Sequence, residues 1–336
     1  MSKSVAGRLS RRQFVAAMGV SAAACQAGAF ALSAHANQPA TDADGPHHVI
    51  DLWPDGAIGK PAGALTETVV ERSTDPAIHD RHIAGVTRPR LNVFVPNKPN
   101  GASILILPGG GYRWVVVDRE GFEMARWLAA RGVTAFVLYY RLPGDGWAAG
   151  PNTALVDAQR AIRTIRHQAQ RFSLDPSRVA TMGFSAGGHL CADLMTRHAE
   201  RVQPPIDAID ALSAKPFLAA PVYPVVSMSA PHAHAGSRER LVGKDASLDI
   251  ERRHSPHLHV ARDNPPVFLL HAEDDKSVPV ENALFLRDAL SKQGVTTETH
   301  LFTRGGHGFG LRKAAGLPVG AWPELFLSWA KSQGWF

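Results

Sequence analysis

Seven short apolar runs constrain the fold of this chain most: residues 91–95, 103–107, 134–140, 179–184, 217–223, 267–271 and 297–302. Nearly all are continuous rather than alternating, as expected of strands covered on both faces. Helix-like segments separate them at about 120–131, 153–172, 186–197, 281–293 and 323–332. This alternation predicts an α/β fold: a mostly parallel, doubly wound sheet with helices on both faces. One stretch breaks the pattern, the Ser/His/Arg-rich and weakly periodic 224–264, which we read as a small cap insertion. With 45% apolar, 7% aromatic and 20% charged residues, the 336-residue chain fits a soluble globular protein with a sizeable core, not a disordered or collagen-like one. The sequence places that domain at 49–336.

The first 36 residues follow another logic. Lys3, Arg8, Arg11 and Arg12 precede an Ala/Gly-rich apolar stretch that ends at Ala34-His35-Ala36, the layout of a secretory signal with a small-x-small cleavage site. Within it, Ser10-Arg11-Arg12-Gln13-Phe14-Val15 resembles a bacterial twin-arginine signal, which implies the twin-arginine export machinery as a partner and a periplasmic or secreted product. A retained membrane anchor fits poorly, because a span needs roughly 20 strongly apolar residues and this stretch is mostly Ala and Gly and carries Gln26. A lipoprotein signal at Cys25 lacks the large aliphatic residue three positions earlier. Residues 37–48 read as a linker. The signal holds four basic and no acidic residues, so the formal net charge of +6 falls to +2 over 37–336, which removes the main support for a nucleic-acid partner. It also takes Cys25 away, leaving Cys191 alone, so no intramolecular disulfide can form.

Chemistry concentrates at Gly183-Phe184-Ser185-Ala186-Gly187-Gly188, which follows one strand-like run and opens a helical one. A nucleophile elbow needs this pattern, because the turn holds the serine in a strained conformation and packs strand against helix too closely for side chains. Ser185 then needs a base to take its proton and a carboxylate to orient that base, in the chain order Ser, Asp, His. The run at 267–271 exits into Ala272-Glu273-Asp274-Asp275-Lys276-Ser277-Val278-Pro279, with three acidic candidates; Asp275 is preferred on its Asp-x-x-Val-Pro spacing, with Asp274 and Glu273 behind it. After the last strand, His307 stands among Gly305, Gly306, Gly308 and Gly310 and is the expected base. Donors for a tetrahedral oxyanion are expected from Gly110 or Gly111, in the Pro108-Gly109-Gly110-Gly111-Tyr112 loop, joined by the N–H of Ala186. His254, His257 and His259 lack a carboxylate or cysteine at ligand spacing, so they are read as polar cap surface rather than a metal site. The expected chemistry needs no cofactor and no metal.

These motifs together resemble the carbohydrate-esterase-like branch of the α/β-hydrolases, over most of residues 52–309. The likeness includes Pro108-Gly109-Gly110-Gly111-Tyr112, Gly183-Phe184-Ser185-Ala186-Gly187-Gly188-His189-Leu190, Leu52-Trp53-Pro54-Asp55-Gly56-Ala57, Asp118-Arg119-Glu120-Gly121, Tyr140-Arg141-Leu142 and Asp157-Ala158-Gln159-Arg160-Ala161. Where many esterases carry His-Gly-Gly-Gly, this chain has Pro108, which leaves the backbone donors but changes how the loop is anchored. The resemblance implies an exported bacterial serine esterase that removes short acyl groups, acetyl above all, from plant polysaccharides or their oligosaccharides. The competing readings are a peptidase of the prolyl-oligopeptidase type, a lipase, and a catalytically dead binding protein. The first usually carries a large N-terminal propeller, the second wants a more apolar lid than 224–264, and the third predicts loss of a triad member.

Overall fold

The computed structural model describes residues 45–336. The signal reading of 1–36, with Cys25, lies outside the described residues, as does most of the stretch read as a linker.

In chain order the strands are β1 (His48–Asp51), β2 (Thr68–Glu71), β3 (Arg81–Ala84), β4 (Arg90–Phe94), β5 (Ser103–Leu107), β6 (Val115–Val116), β7 (Thr134–Tyr139), β8 (Val179–Phe184), β9 (Ala219–Val222), β10 (Val267–Ala272) and β11 (Thr297–Phe302). The helices are α1 (Glu123–Ala129), α2 (Thr153–His167), α3 (Ala186–Arg197), α4 (Ala235–Val242), α5 (Leu248–Arg253), α6 (Glu281–Lys292) and α7 (Trp322–Ser332). Eight strands form one sheet in the order β1-β4-β7-β5-β8-β9-β10-β11. Pairing is antiparallel from β1 through β4 to β7 and parallel from β7 onward. Every residue of β5, β7, β8, β9 and β10 is buried, which explains why these strands read as unbroken apolar runs.

Three elements depart from the sequence reading for local reasons. The segment expected as a helix from 120 opens as a five-residue π-helical turn, Asp118–Phe122, in which the Phe122 N–H reaches the Val117 carbonyl. The long helix expected to reach 172 stops at His167 and is followed by a separate 3-10 turn, Gln170–Phe172. The strand expected at 217–223 ends at Val222, because Tyr223 takes φ +37° and leaves the extended region. A second, antiparallel sheet of β2, β3 and β6 was not anticipated; β2 is exposed along its whole length and carries no burial signal. The 224–264 segment contains α4 and α5, and its first turn is pinned to α6 by Asn282, whose Oδ1 accepts the Val226 and Ser227 N–H groups at 2.8 and 2.9 Å.

Motifs far apart in sequence meet in one buried polar network. Asp157 on α2, fully buried, accepts from the Trp53 indole N–H at 2.9 Å and from the Arg141 backbone and guanidinium at 2.8 Å. Arg160, one helical turn on, pairs with Asp207 and donates to the Leu52 carbonyl. Removing one partner from a fully buried pair such as Arg141–Asp157 typically costs about 3–5 kcal/mol, because the other charge is left uncompensated. Cys191 is fully buried on α3, where desolvation pushes its thiol up to about 12.

His254 was expected on a polar surface, yet only 4% of it is exposed. Burial is the main reason its imidazole is lowered from 6.5 to about 4. In the unfolded chain the ring regains an ordinary value, so between about pH 6.5 and 4 unfolding takes up a proton at this site, and stability falls as pH falls. Urea unfolding across that window should show His254→Phe taking up about one proton fewer per molecule than the native protein; identical pH slopes would rule this out.

Candidate functional site

The site begins with the turn from β8 to α3. Ser185 sits there with φ +55° and ψ −118°, a conformation that costs a non-glycine residue about 1–3 kcal/mol unless its surroundings enforce it. They do: the Ser185 N–H donates to the Val222 carbonyl at 3.1 Å. A Cβ on Gly183 would overlap the Gly187 carbonyl, and one on Gly187 would overlap that of Leu107. Elbow and β5 therefore touch backbone to backbone.

The structure brings Ser185, His307 and Asp275 together. His307 Nε2 lies 2.8 Å from Ser185 Oγ, and His307 Nδ1 lies 2.6 Å from Asp275 Oδ2. A carboxylate only accepts, so Nδ1 carries the proton and Nε2 is left to accept from the serine hydroxyl. Asp275 is held on every side. Its Oδ1 accepts the Ser277 and Val278 N–H groups at 2.8 and 2.9 Å, and its Oδ2 also meets His271 Nε2 at 3.2 Å. That His271 nitrogen faces a second acceptor, the Val278 carbonyl, so it too bears its proton. Burial raises the Asp275 carboxyl, but the hydrogen bonds from His271 and His307 outweigh it and hold the group well below the usual carboxylate range.

The other acidic candidates have different places. Asp274 Oδ1 accepts the Gly305 and Gly306 N–H groups at 2.9 and 2.7 Å, so it braces the loop that carries His307. Glu273 is exposed and makes only a backbone bond, to Phe302. Tyr223, fully buried, sets its ring edge-on to His307 at 5.2 Å.

The glycine loop after β5 lies beside the elbow, and its anchoring answers the question that Pro108 raised. The Tyr140 hydroxyl donates to the Pro108 carbonyl at 2.7 Å. Glu120, buried on the π-helical turn, accepts the Gly109 N–H at 3.0 Å with one oxygen and the Tyr223 hydroxyl at 3.1 Å with the other. Gly110 takes φ +128°, and a Cβ there would overlap the Trp114 carbonyl, so the loop admits no side chain at this point. Among the described residues, the N–H groups of Gly110, Gly111 and Ala186 donate to no acceptor in the protein. Tyr112 extends the anchoring, because its hydroxyl meets His189 Nδ1 at 2.7 Å while His189 Nε2 meets the His254 carbonyl at 2.8 Å. The carbonyl fixes the proton on Nε2, so Nδ1 accepts from the tyrosine.

Gly110, Gly111, Ser185 and His307 line a cavity of about 440 Å³. Its far wall comes from the 224–264 segment through His234, Gly236, Glu239 and Arg240. His234 Nδ1 accepts the Ser237 N–H at 3.1 Å, and burial, reinforced by the nearby His307, pushes its imidazole down. The neutral ring thus carries its proton on Nε2. Sequence reasoning missed Glu120, His271 and His234; the first two lay inside quoted motifs or runs, but only their burial beside the site distinguishes them. The other histidines of the cap disperse: His259 Nε2 meets the Arg252 carbonyl, and His257 stacks on Phe285.

The sheet order, the elbow after its central strand and the Ser-Asp-His order of the site define an α/β-hydrolase fold. Within that class, the BD-FAE family model matches residues 91–290, and the chain belongs to that family. It is similar to an acetylxylan esterase of Xylanibacter ruminicola, 31% identical over 222 residues that make up 65% of this chain and 43% of that protein. It is also similar to endo-1,4-beta-xylanase B of Butyrivibrio fibrisolvens, 32% identical over 61% of this chain and 32% of the other. The chain thus spans less than half the length of these two relatives. Among solved structures, an acetyl ester-xyloside bifunctional hydrolase from Caldicellulosiruptor lactoaceticus superposes with a TM-score of 0.70 at 32% identity, covering 88% of this chain and 100% of that one.

Asp275→Asn preserves the shape of the site but lets His307 adopt the wrong tautomer, so ester turnover should fall by about 10³–10⁴-fold. Asp274→Asn, which keeps an acceptor at the loop, should cost far less. Steady-state kinetics of the two variants distinguishes them, and equal losses would show that the assignment of the carboxylate is wrong.

Proposed function

We propose that this protein is a serine carboxylesterase that hydrolyses short-chain esters, acetyl above all, on sugars derived from plant polysaccharides. The single observation that carries the reaction class is the hydrogen-bonded line from Ser185 Oγ through His307 to Asp275, set beside three N–H groups with no acceptor among the described residues. His307 takes the proton from Ser185 as the hydroxyl attacks the ester carbonyl. Asp275 fixes the tautomer and stabilises the imidazolium that results. The negative charge on the carbonyl oxygen is met by the N–H of Ala186 with those of Gly110 and Gly111; such preorganised donors cost nothing to reorient, and one typically contributes about 10²–10³ in rate. Collapse of the tetrahedral intermediate expels the alcohol, protonated by His307, and leaves an acyl-serine. Water activated by the same histidine then releases the acid.

Support for the substrate class comes from the acetylxylan esterase and the acetyl ester-xyloside hydrolase that the chain resembles. A lipase reading draws no support from the cavity, whose walls carry several charged side chains. A p-nitrophenyl ester series from acetate to decanoate, run beside acetylated xylo-oligosaccharides, is the direct test. Acetate should be favoured steeply, the oligosaccharides should release acetate, and Ser185→Ala should abolish both activities. Turnover retained in that variant would end the mechanism, and activity on long chains alone would end the substrate assignment.

The same reading places the enzyme outside the cytoplasm, supported by Arg11 and Arg12 ahead of the apolar stretch. Cell fractionation should find the product in the periplasm or medium, and replacing both arginines by lysine should strand it in the cytoplasm; export of that variant would remove the twin-arginine assignment.

A further inference from the structure

We propose that Arg113 is a carboxylate-binding fork, so that the esters taken by this cavity are those of acidic, uronate-type sugars. This rests on the sugar-ester reading above and narrows it. Four arginines line the cavity, Arg72, Arg113, Arg119 and Arg240, against two acidic residues, Glu120 and Glu239. Arg72 and Arg119 are shared by Asp80, at 2.7 and 3.3 Å. Glu120 is buried and already occupied by Gly109 and Tyr223, so it offers the rim little compensation. The side chains of Arg113 and Arg240 form no hydrogen bond or ion pair among the described residues, although Arg113 interacts at longer range with His82 and Arg240 with Asp145.

Arg113 is exposed, yet its guanidinium packs on an aromatic ring. Its guanidinium lies over the Trp114 ring, 4.9 Å from the centroid, and the other partner of that ring, His82, stacks nearly parallel at 4.5 Å and 16°. A stacked guanidinium keeps the N–H donors along its edge free, in the planar geometry that matches a carboxylate. The fork is also tied to the glycine loop, because the Arg113 N–H donates to the Gly110 carbonyl at 3.1 Å. An anion gripped there is registered against the donors that receive the ester oxygen. A neutral sugar and an acetyl group give this fork no charged partner. A carboxylate carried by the sugar accepts two of its N–H bonds and leaves the acyl group free to enter toward Ser185.

The test compares a monoacetylated methyl hexuronoside with its neutral monoacetylated methyl hexoside twin, and p-nitrophenyl hemisuccinate with p-nitrophenyl acetate, at low ionic strength. The quantity read is the ratio of kcat/KM within each pair, measured on one enzyme preparation, so a partly folded variant does not mimic the effect. The uronoside should be favoured by about two- to five-fold, as expected for a solvent-exposed charge pair at low ionic strength, and the hemisuccinate should not. Arg113→Gln should bring the uronoside ratio down toward one, and Arg113→Lys, which keeps the charge without the fork, should retain only part of it. An uronoside no better than its twin, or a ratio that survives in R113Q, overturns the inference. A preference for the hemisuccinate alone overturns it as well, by putting the anion on the acyl side. If p-nitrophenyl acetate is hydrolysed but neither sugar ester is, the sugar-ester reading falls and takes this inference with it.

Discussion

Everything at this site depends on the backbone contact between the β8–α3 elbow and the end of β5. Gly187 lies against the Leu107 and Pro108 carbonyls, and Gly109 is hemmed in by Glu120, the Phe184 carbonyl and the Ser185 Cβ. No side chain can be inserted at these points without parting the strands. The approach fixes where the Ser185 turn stands relative to the glycine loop that follows β5. An enzyme built this way places its donors by covalent geometry rather than by side-chain rotamers, so little entropy is lost when charge develops.

Around that contact, buried charges do the positioning. Glu120 ties the glycine loop to Tyr223, which in turn packs on His307, so one carboxylate touches both sides of the reaction centre through its partners. Farther out, Asp157 gathers Trp53 and Arg141 into a single buried cluster that fixes the chain before β2 against α2. Such groups are costly to bury unless every lone pair is used. Here each Asp157 oxygen has a partner, which makes the cluster a locator as much as a source of stability.

Most of the parallel part of the sheet was legible in the sequence because β5, β7, β8, β9 and β10 are buried on both faces and read as continuous apolar runs, whereas the edge strand β11 is only partly buried. β5, β8, β11 and α3 have the bounds expected from pattern alone. The β2–β3–β6 sheet was not legible: its strands are short and β2 is solvent-exposed, so no period of burial marks them. Ser185, Asp275 and His307 stood out through spacing and neighbouring glycines, and the structure places Ser185 and Asp275 each within hydrogen-bond distance of His307. Glu120 did not, because a π-helical turn shifts the register at which side chains face the core. His254 was misjudged for a related reason: Arg252 and Arg253 just before it are exposed, while its own ring turns inward. Nothing in a local pattern distinguishes these cases; only the tertiary partner does.

The Tyr112–His189–His254 chain of hydrogen bonds links the glycine loop, through α3, to the buried side of the 224–264 segment, whose other residues form the far wall of the cavity. For anyone redesigning this site, that makes the segment and the loop one mechanical part. Grafting a new wall onto the scaffold would change the buried seat of His189 and, through it, the aim of the loop glycines. Selectivity and turnover are geared together here, and a library that varies the 224–264 segment should keep its main-chain path at His254 while changing the side chains that face the substrate.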